Sequence, residues 1–209
     1  EYIVGVLAGE MPITFELEAL KAQAVASRSY ALKRIEYNKD KEYDVVDSIM
    51  NQVYLDNDYL KEAWGINYVK NINKLRTAVN QTLDEYLEYN NNIVDALFFS
   101  TSNGYTEDSL NVFNFESEYL KSVESSWDKD VSPAFYTEKT IDLKDFYTKL
   151  NIPYNKNLNI EILKRSTTNR ILLLKINNVE FKGTDIYNKL SLRSTDFQIE
   201  LLGEKVKIK

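Results

Sequence analysis

Glu10 stands in the segment EYIVGVLAGEMP, after a run of apolar residues and directly before a Met-Pro pair. Pro12 lacks an N–H and restricts Met11, so a short helix built on Ile3, Val4, Val6 and Leu7 must stop close to Glu10. Val6, Leu7, Met11 and Ile13 would then surround its carboxyl with apolar atoms, a setting suited to a general acid. Such a group has few rivals here. The chain has no His and no Cys, which removes thiol nucleophiles, imidazole bases and nearly every zinc site, and leaves acid/base chemistry to carboxylates. A Glu among 32 acidic residues is ordinarily a solvated surface group; the helix end and apolar neighbours set Glu10 apart.

Lys21 and Arg28 lie seven positions apart, two helical turns, and so point the same way from one helix, with Gln23 and Ser27 as a second polar pair. They either bring positive charge to the carboxylate or form structural salt bridges. Further on, Ser100, Thr101, Ser102, Asn103, Gly104, Tyr105, Thr106 and Glu107 follow an apolar run directly. Short hydroxyl and amide groups of this kind either hydrogen-bond sugar hydroxyls or order their own loop. Trp64, Trp127 and the 15 Tyr offer faces for stacking on sugar rings, although most such aromatics fill cores; Trp127, beside Asp128, is the better surface candidate.

The elements that must position these groups are legible from periodicity and punctuation. A helix is expected from an N-cap at Thr14 to about Tyr37, with Leu17, Leu20, Ala24, Ala31 and Ile35 as its apolar stripe. Val45, Val46, Val53 and Tyr54 suggest short strands, Ile66 to Gln81 a further helix, and Asn90 to Asn92 a tight turn before a strand over Ile93 to Phe99. A change of pattern near Pro133 suggests a lobe boundary. Beyond it a helix over Leu143 to Leu150 precedes β segments at Ile160 to Leu163 and Ile171 to Ile176, turns at Asn177-Asn178 and Gly203-Glu204, and a short helix capped by Asp185. The expected class is α+β, with a helix-rich lobe over 1–132 carrying Glu10, a β-rich lobe over 133–209, and a cleft between them.

Composition narrows the function. The formal charge is −6 and no basic run tracks a phosphate backbone, so nucleic acid is not an expected partner. The six Gly form no dinucleotide or phosphate loop. No apolar run approaches the roughly 20 residues that span a bilayer. The first residue already lies inside a patterned segment, which suggests that an upstream stretch, such as an anchor, was removed.

EYIVGVLAGEMP followed by LEALKAQAVASRSYAL resembles the opening signature of the stage II sporulation protein D (LytB) family. NQVY at Asn51–Tyr54, FFSTSNGYTEDS at Phe98–Ser109 and LRSTDF at Leu192–Phe197 extend the likeness over most of the chain. The resemblance implies a lytic transglycosylase that cuts peptidoglycan between N-acetylmuramic acid and N-acetylglucosamine during forespore engulfment, with Glu10 as its one catalytic acid/base. It implies glycan-binding or supporting roles for Lys21, Arg28, Gln52, Ser102, Thr106, Tyr119 and Asp128. No cofactor or metal ligand is implied. The partners it implies are glycan strands, a sporulation amidase and a membrane protein, at the outer face of the cytoplasmic membrane in the septal space, through an N-terminal anchor outside this chain.

Two departures accompany the likeness. Family members often show His and a second Gly where this chain has Phe99 and Asn103, and a GHGxGxSQxGA segment beyond the point where this chain stops. Two alternatives therefore stand beside the transglycosylase: a glycan-binding domain without activity, and a hydrolase in which Asp128 supplies a second carboxylate roughly 5 to 9.5 Å across the scissile bond.

Overall fold

The computed structural model describes residues 1–48 and 50–209 and confirms a mixed helix and strand fold. The chain forms two compact units, 1–98 and 99–209; the boundary expected at 132/133 falls inside the second. Among the described residues no helix is long and apolar enough to cross a membrane.

In the first unit, α1 (Tyr2–Glu10) ends as expected, with Met11 extended at φ −126° and its N–H closing on the Leu7 carbonyl. The following helix α2 (Leu17–Asn38) starts three residues later than its expected cap. Pro12 and Phe15 close a turn that takes up Thr14, and Glu16 becomes the N-cap. Next come α3 (Asn57–Trp64), capped by Asp56 accepting the Tyr59 N–H at 2.7 Å, and α4 (Tyr68–Gln81). The single helix expected from Ile66 starts at Tyr68 because Gly65, at φ +49°, breaks the run and opens a 3₁₀ turn, Gly65–Asn67.

Ile72, Leu75, Ala78 and Val79 on α4 meet Leu20 and Ala24 on α2, Val4 and Leu7 on α1, and Leu60 on α3. Each large side chain of this core contributes roughly 1.5–3 kcal/mol by leaving water. Ile35, placed on the stripe by its spacing, is 48% exposed instead.

Strand structure in this unit is sparse. Among the described residues the run 45–54 holds only an isolated Asp47–Gln52 bridge, and β1 (Glu88–Tyr89) and β2 (Asn92–Ile93) pair across Asn90 and Asn91, both at positive φ, as a two-residue hairpin requires. The expected strand stops at Ile93. Pairing continues only to the Val94 N–H, and a Leu97 N–H to Asp95 carbonyl contact at 2.9 Å then bends the backbone.

The second unit begins with β3 (Gly104–Tyr105), α5 (Ser109–Phe113), β4 (Glu124–Ser125) and α6 (Asp128–Val131); β3 and β4 pair antiparallel. Then come β5 (Lys139–Asp142), α7 (Leu143–Leu150), β6 (Ile160–Arg165), β7 (Ile171–Ile176), β8 (Val179–Lys182), α8 (Gly183–Leu190), β9 (Ile199–Leu202) and β10 (Lys205–Ile208). They form two antiparallel three-stranded sheets, β5-β10-β9 and β6-β7-β8. The helix α7 buries Leu143, Phe146, Tyr147 and Leu150, one apolar face at i, i+3, i+4 and i+7, against Ile171, Leu174, Ile176, Ile186 and Val206. Asp185 caps α8 from inside its first turn, accepting the Lys182 N–H at 3.3 Å.

A polar knot explains why the early loops belong to this unit. Glu107 accepts hydrogen bonds from Ser166 at 2.6 Å, from Asn111 at 2.9 Å and from Thr168. Arg170 donates to the Tyr105 carbonyl at 2.9 Å, and Asn103 donates to the Thr168 carbonyl at 2.9 Å and to Asp196 at 2.7 Å. Burial opposes the charge on Glu107, but the hydrogen bonds from Ser166, Thr168, Asn111 and the Asp108 N–H outweigh it and hold its pKa below the ordinary value.

Candidate active site

Two glycines on α1 build the site. A Cβ at Gly5 would lie 2.3 Å from the Tyr54 ring and 2.8 Å from the Leu55 carbonyl, and one at Gly9 would lie 2.9 Å from the Val53 side chain. With hydrogen there instead, the segment 53–55 rests directly on the helix, and the Leu55 N–H reaches the Gly5 carbonyl at 3.2 Å. Tyr2 stacks on Tyr54 with centroids 5.8 Å apart and holds the segment from the other end of the helix.

That contact brings the Val53 backbone N–H to Glu10, which accepts it through Oε1 at 3.0 Å. The second oxygen, Oε2, has no hydrogen-bond partner among the described residues. Glu10 is half-buried and lines a cavity of about 280 Å³ with Tyr30, Met50, Asn51, Val53, Leu97 and Phe98. Glu10 is the one carboxylate among those residues.

Alternation along 51–54 sorts the neighbours. Asn51 and Val53 face the cavity, while Gln52, 1% exposed, points inward, donates to the Ser27 carbonyl at 3.0 Å and accepts the Tyr2 hydroxyl at 2.9 Å. The family resemblance points to Gln52 in this segment, whereas Asn51 is the polar residue that lines the cavity. The two-residue alternation was the signal that separates them. Tyr30, which also lines the cavity, carries no signal of its own, since a Tyr on a core helix is ordinarily packing.

A family model described as stage II sporulation protein matches residues 1–89. Stage II sporulation protein D of Bacillus amyloliquefaciens and that of Bacillus subtilis are each 38% identical to this sequence over 213 aligned residues, covering 100% of this chain and 62% of each relative. The chain's likeness is to the stage II sporulation protein D family. The chain spans a little under two thirds of the length of these two relatives. A Bacillus subtilis protein named amidase enhancer is 33% identical over 145 residues, which is 66% of this chain and 18% of that protein.

Of the residues that resemblance to the stage II sporulation protein D family nominated, the first unit holds Glu10, Lys21, Arg28 and Gln52. Lys21 pairs with Glu18 at 3.0 Å within its own helix. Arg28 donates to the Glu85 carbonyl at 2.7 Å, the Val79 carbonyl at 3.4 Å and the Thr82 hydroxyl at 3.5 Å, and so receives the C-terminal end of α4. Burial draws the Arg28 pKa down, against the charges of Glu85 and Asp84.

The second unit holds Ser102, Thr106, Tyr119 and Asp128, and brings two of them together: Asp128 Oδ2 accepts the Ser102 N–H at 2.7 Å. Ser102 also donates to the Ser125 carbonyl at 2.7 Å, and Thr106 to the Lys121 carbonyl at 3.0 Å, so these hydroxyls order their own loop. Tyr119 is 38% exposed and Trp127 is 64% exposed, whereas Trp64 packs on the first unit's core.

Proposed function

We propose that this chain is a lytic transglycosylase acting on the glycan strands of peptidoglycan in sporulation. The relatives named stage II sporulation protein D support the sporulation setting, and the one named amidase enhancer supports a peptidoglycan-related role. The observation that carries the reaction is the asymmetry of Glu10. Its Oε1 is held by a backbone N–H, and among the described residues its Oε2 has no hydrogen-bond partner and no second carboxylate lines the cavity.

A carboxyl oxygen that accepts a backbone N–H is the unprotonated one, so the proton of the neutral acid resides on Oε2. From there it passes to the glycosidic oxygen leaving C1 of N-acetylmuramic acid, and an oxocarbenium-like centre forms as the C–O bond breaks. Oε2, now anionic, takes the proton from the same sugar's primary hydroxyl while that oxygen closes on C1. The acid is regenerated, no water is consumed, and the product ends in an anhydro-muramic unit. One carboxylate serves both steps, whereas hydrolysis by two carboxylates needs a second one across the bond.

Digestion of purified glycan strands, with and without stem peptides, tests this by product mass. Anhydro products from the native chain and none from Glu10→Gln are the expected result. Products heavier by one water point to hydrolysis, and bound glycan without soluble fragments points to a binding domain.

A further inference from the structure

Tyr30 is a core residue by burial, 7% exposed, yet it lines the Glu10 cavity. Its hydroxyl is held by Asn51, whose Nδ2 lies 3.1 Å away. The orientation of that amide is fixed by its other contacts: Oδ1 accepts the Val46 N–H at 2.9 Å, and Nδ2 donates to the Met50 carbonyl at 3.0 Å. A backbone N–H only donates, so the amide oxygen must face Val46 and the NH₂ must face Tyr30. The phenol oxygen is therefore the acceptor in this pair. Its own proton points elsewhere and has no acceptor among the described residues. The ring is fixed as well: the Arg34 guanidinium covers its face at 4.8 Å and is itself ion-paired to Asp95.

We propose that Tyr30 is a substrate-binding residue of the Glu10 site, donating its phenolic proton to an acceptor oxygen of the sugar unit that enters the cavity. This rests on the glycan reading and adds to it a second polar contact. A phenol locked by Asn51 on one side and Arg34 on its face offers one direction for its O–H, and a sugar oxygen bound there holds the ring in register with Glu10 Oε2. Locking in advance spares the complex the entropy of ordering the donor.

Calorimetric binding of soluble, peptide-free glycan strands to the native chain, Tyr30→Phe and Glu10→Gln tests this. Loss of one neutral hydrogen bond predicts binding roughly 3- to 10-fold weaker for Tyr30→Phe. A matching rise in KM is expected, with Glu10→Gln binding as tightly as the native chain. Equal affinity in Tyr30→Phe and the native chain overturns the proposal and leaves the role of Glu10 intact. Absence of any glycan binding by the native chain overturns both. If Tyr30→Phe does not fold, 3-fluorotyrosine placed at position 30 alone gives a second reading: its fluorine resonance shifts on adding glycan, and an unmoved resonance overturns the proposal.

Discussion

Glu10 Oε1 accepts the backbone N–H of Val53 at 3.0 Å, a bond between the end of α1 and a segment 43 positions further along the chain. It orients the carboxyl and leaves Oε2, without a hydrogen-bond partner among the described residues, as the oxygen that the proposed reaction would use. Because a Gln side-chain oxygen accepts the same N–H, Glu10→Gln is expected to keep its stability within about 0.5 kcal/mol while glycan cleavage falls about 10²- to 10⁴-fold. Chemical denaturation beside a product assay measures both; a large loss of stability would mean that the negative charge itself is structural.

Gly5→Ala is expected to destabilise the first unit. Alanine in place of helical glycine gains about 1 kcal/mol of helix propensity, but its methyl would lie 2.8 Å from the Leu55 carbonyl and 2.3 Å from the Tyr54 ring. Overpacking against backbone costs about 1–3 kcal/mol, so a net loss of up to about 2 kcal/mol should appear in urea titrations.

Gly9→Ala tests the link between packing and chemistry. Its methyl meets Val53 at 2.9 Å, a milder clash with the residue that supplies the N–H to Glu10. Activity should fall several-fold with little change in the denaturation midpoint. Equal activity would show that the Val53 contact is not needed for turnover.

Arg28→Ala should act through stability. Its guanidinium serves the Glu85 and Val79 carbonyls and the Thr82 hydroxyl around the end of α4, and losing charge-assisted hydrogen bonds costs about 1–3 kcal/mol. A lower melting temperature with unchanged glycan affinity is expected; weaker binding at constant stability would restore it to the glycan-contacting set.

Glu107 is expected to make the second unit acid-sensitive. Its pKa is lowered in the fold relative to the ordinary 4.5, so its contribution is fully present above the unfolded value and is lost as pH falls through the folded one. Stability of the native chain should therefore drop as pH falls below about the ordinary carboxylate range, and Glu107→Gln should flatten that slope. Denaturation curves at a series of acidic pH values show whether the slopes of the two proteins differ.

Sequence alone determined what depends on near neighbours along the chain. Met11-Pro12 places Glu10 at a helix end, and the spacing of Leu143, Phe146, Tyr147 and Leu150 yields α7 with its own bounds. Asn90-Asn91 mark the hairpin because both adopt positive φ, and the absence of His and Cys leaves the chemistry to carboxylates. Caps, turns and periodicity are local, and a few residues encode each of them.

Tertiary structure decided what surrounds those groups. The strand expected over Ile93 to Phe99 shortened because strands exist only where a partner pairs with them. Arg28 turned to carbonyls more than 50 positions away and Gln52 to the Ser27 carbonyl. Tyr30 and Asn51 joined Glu10 at one cavity through contacts between segments distant in sequence. A polar side chain's residue type states what it can bond; packing over tens of residues decides which partner it meets.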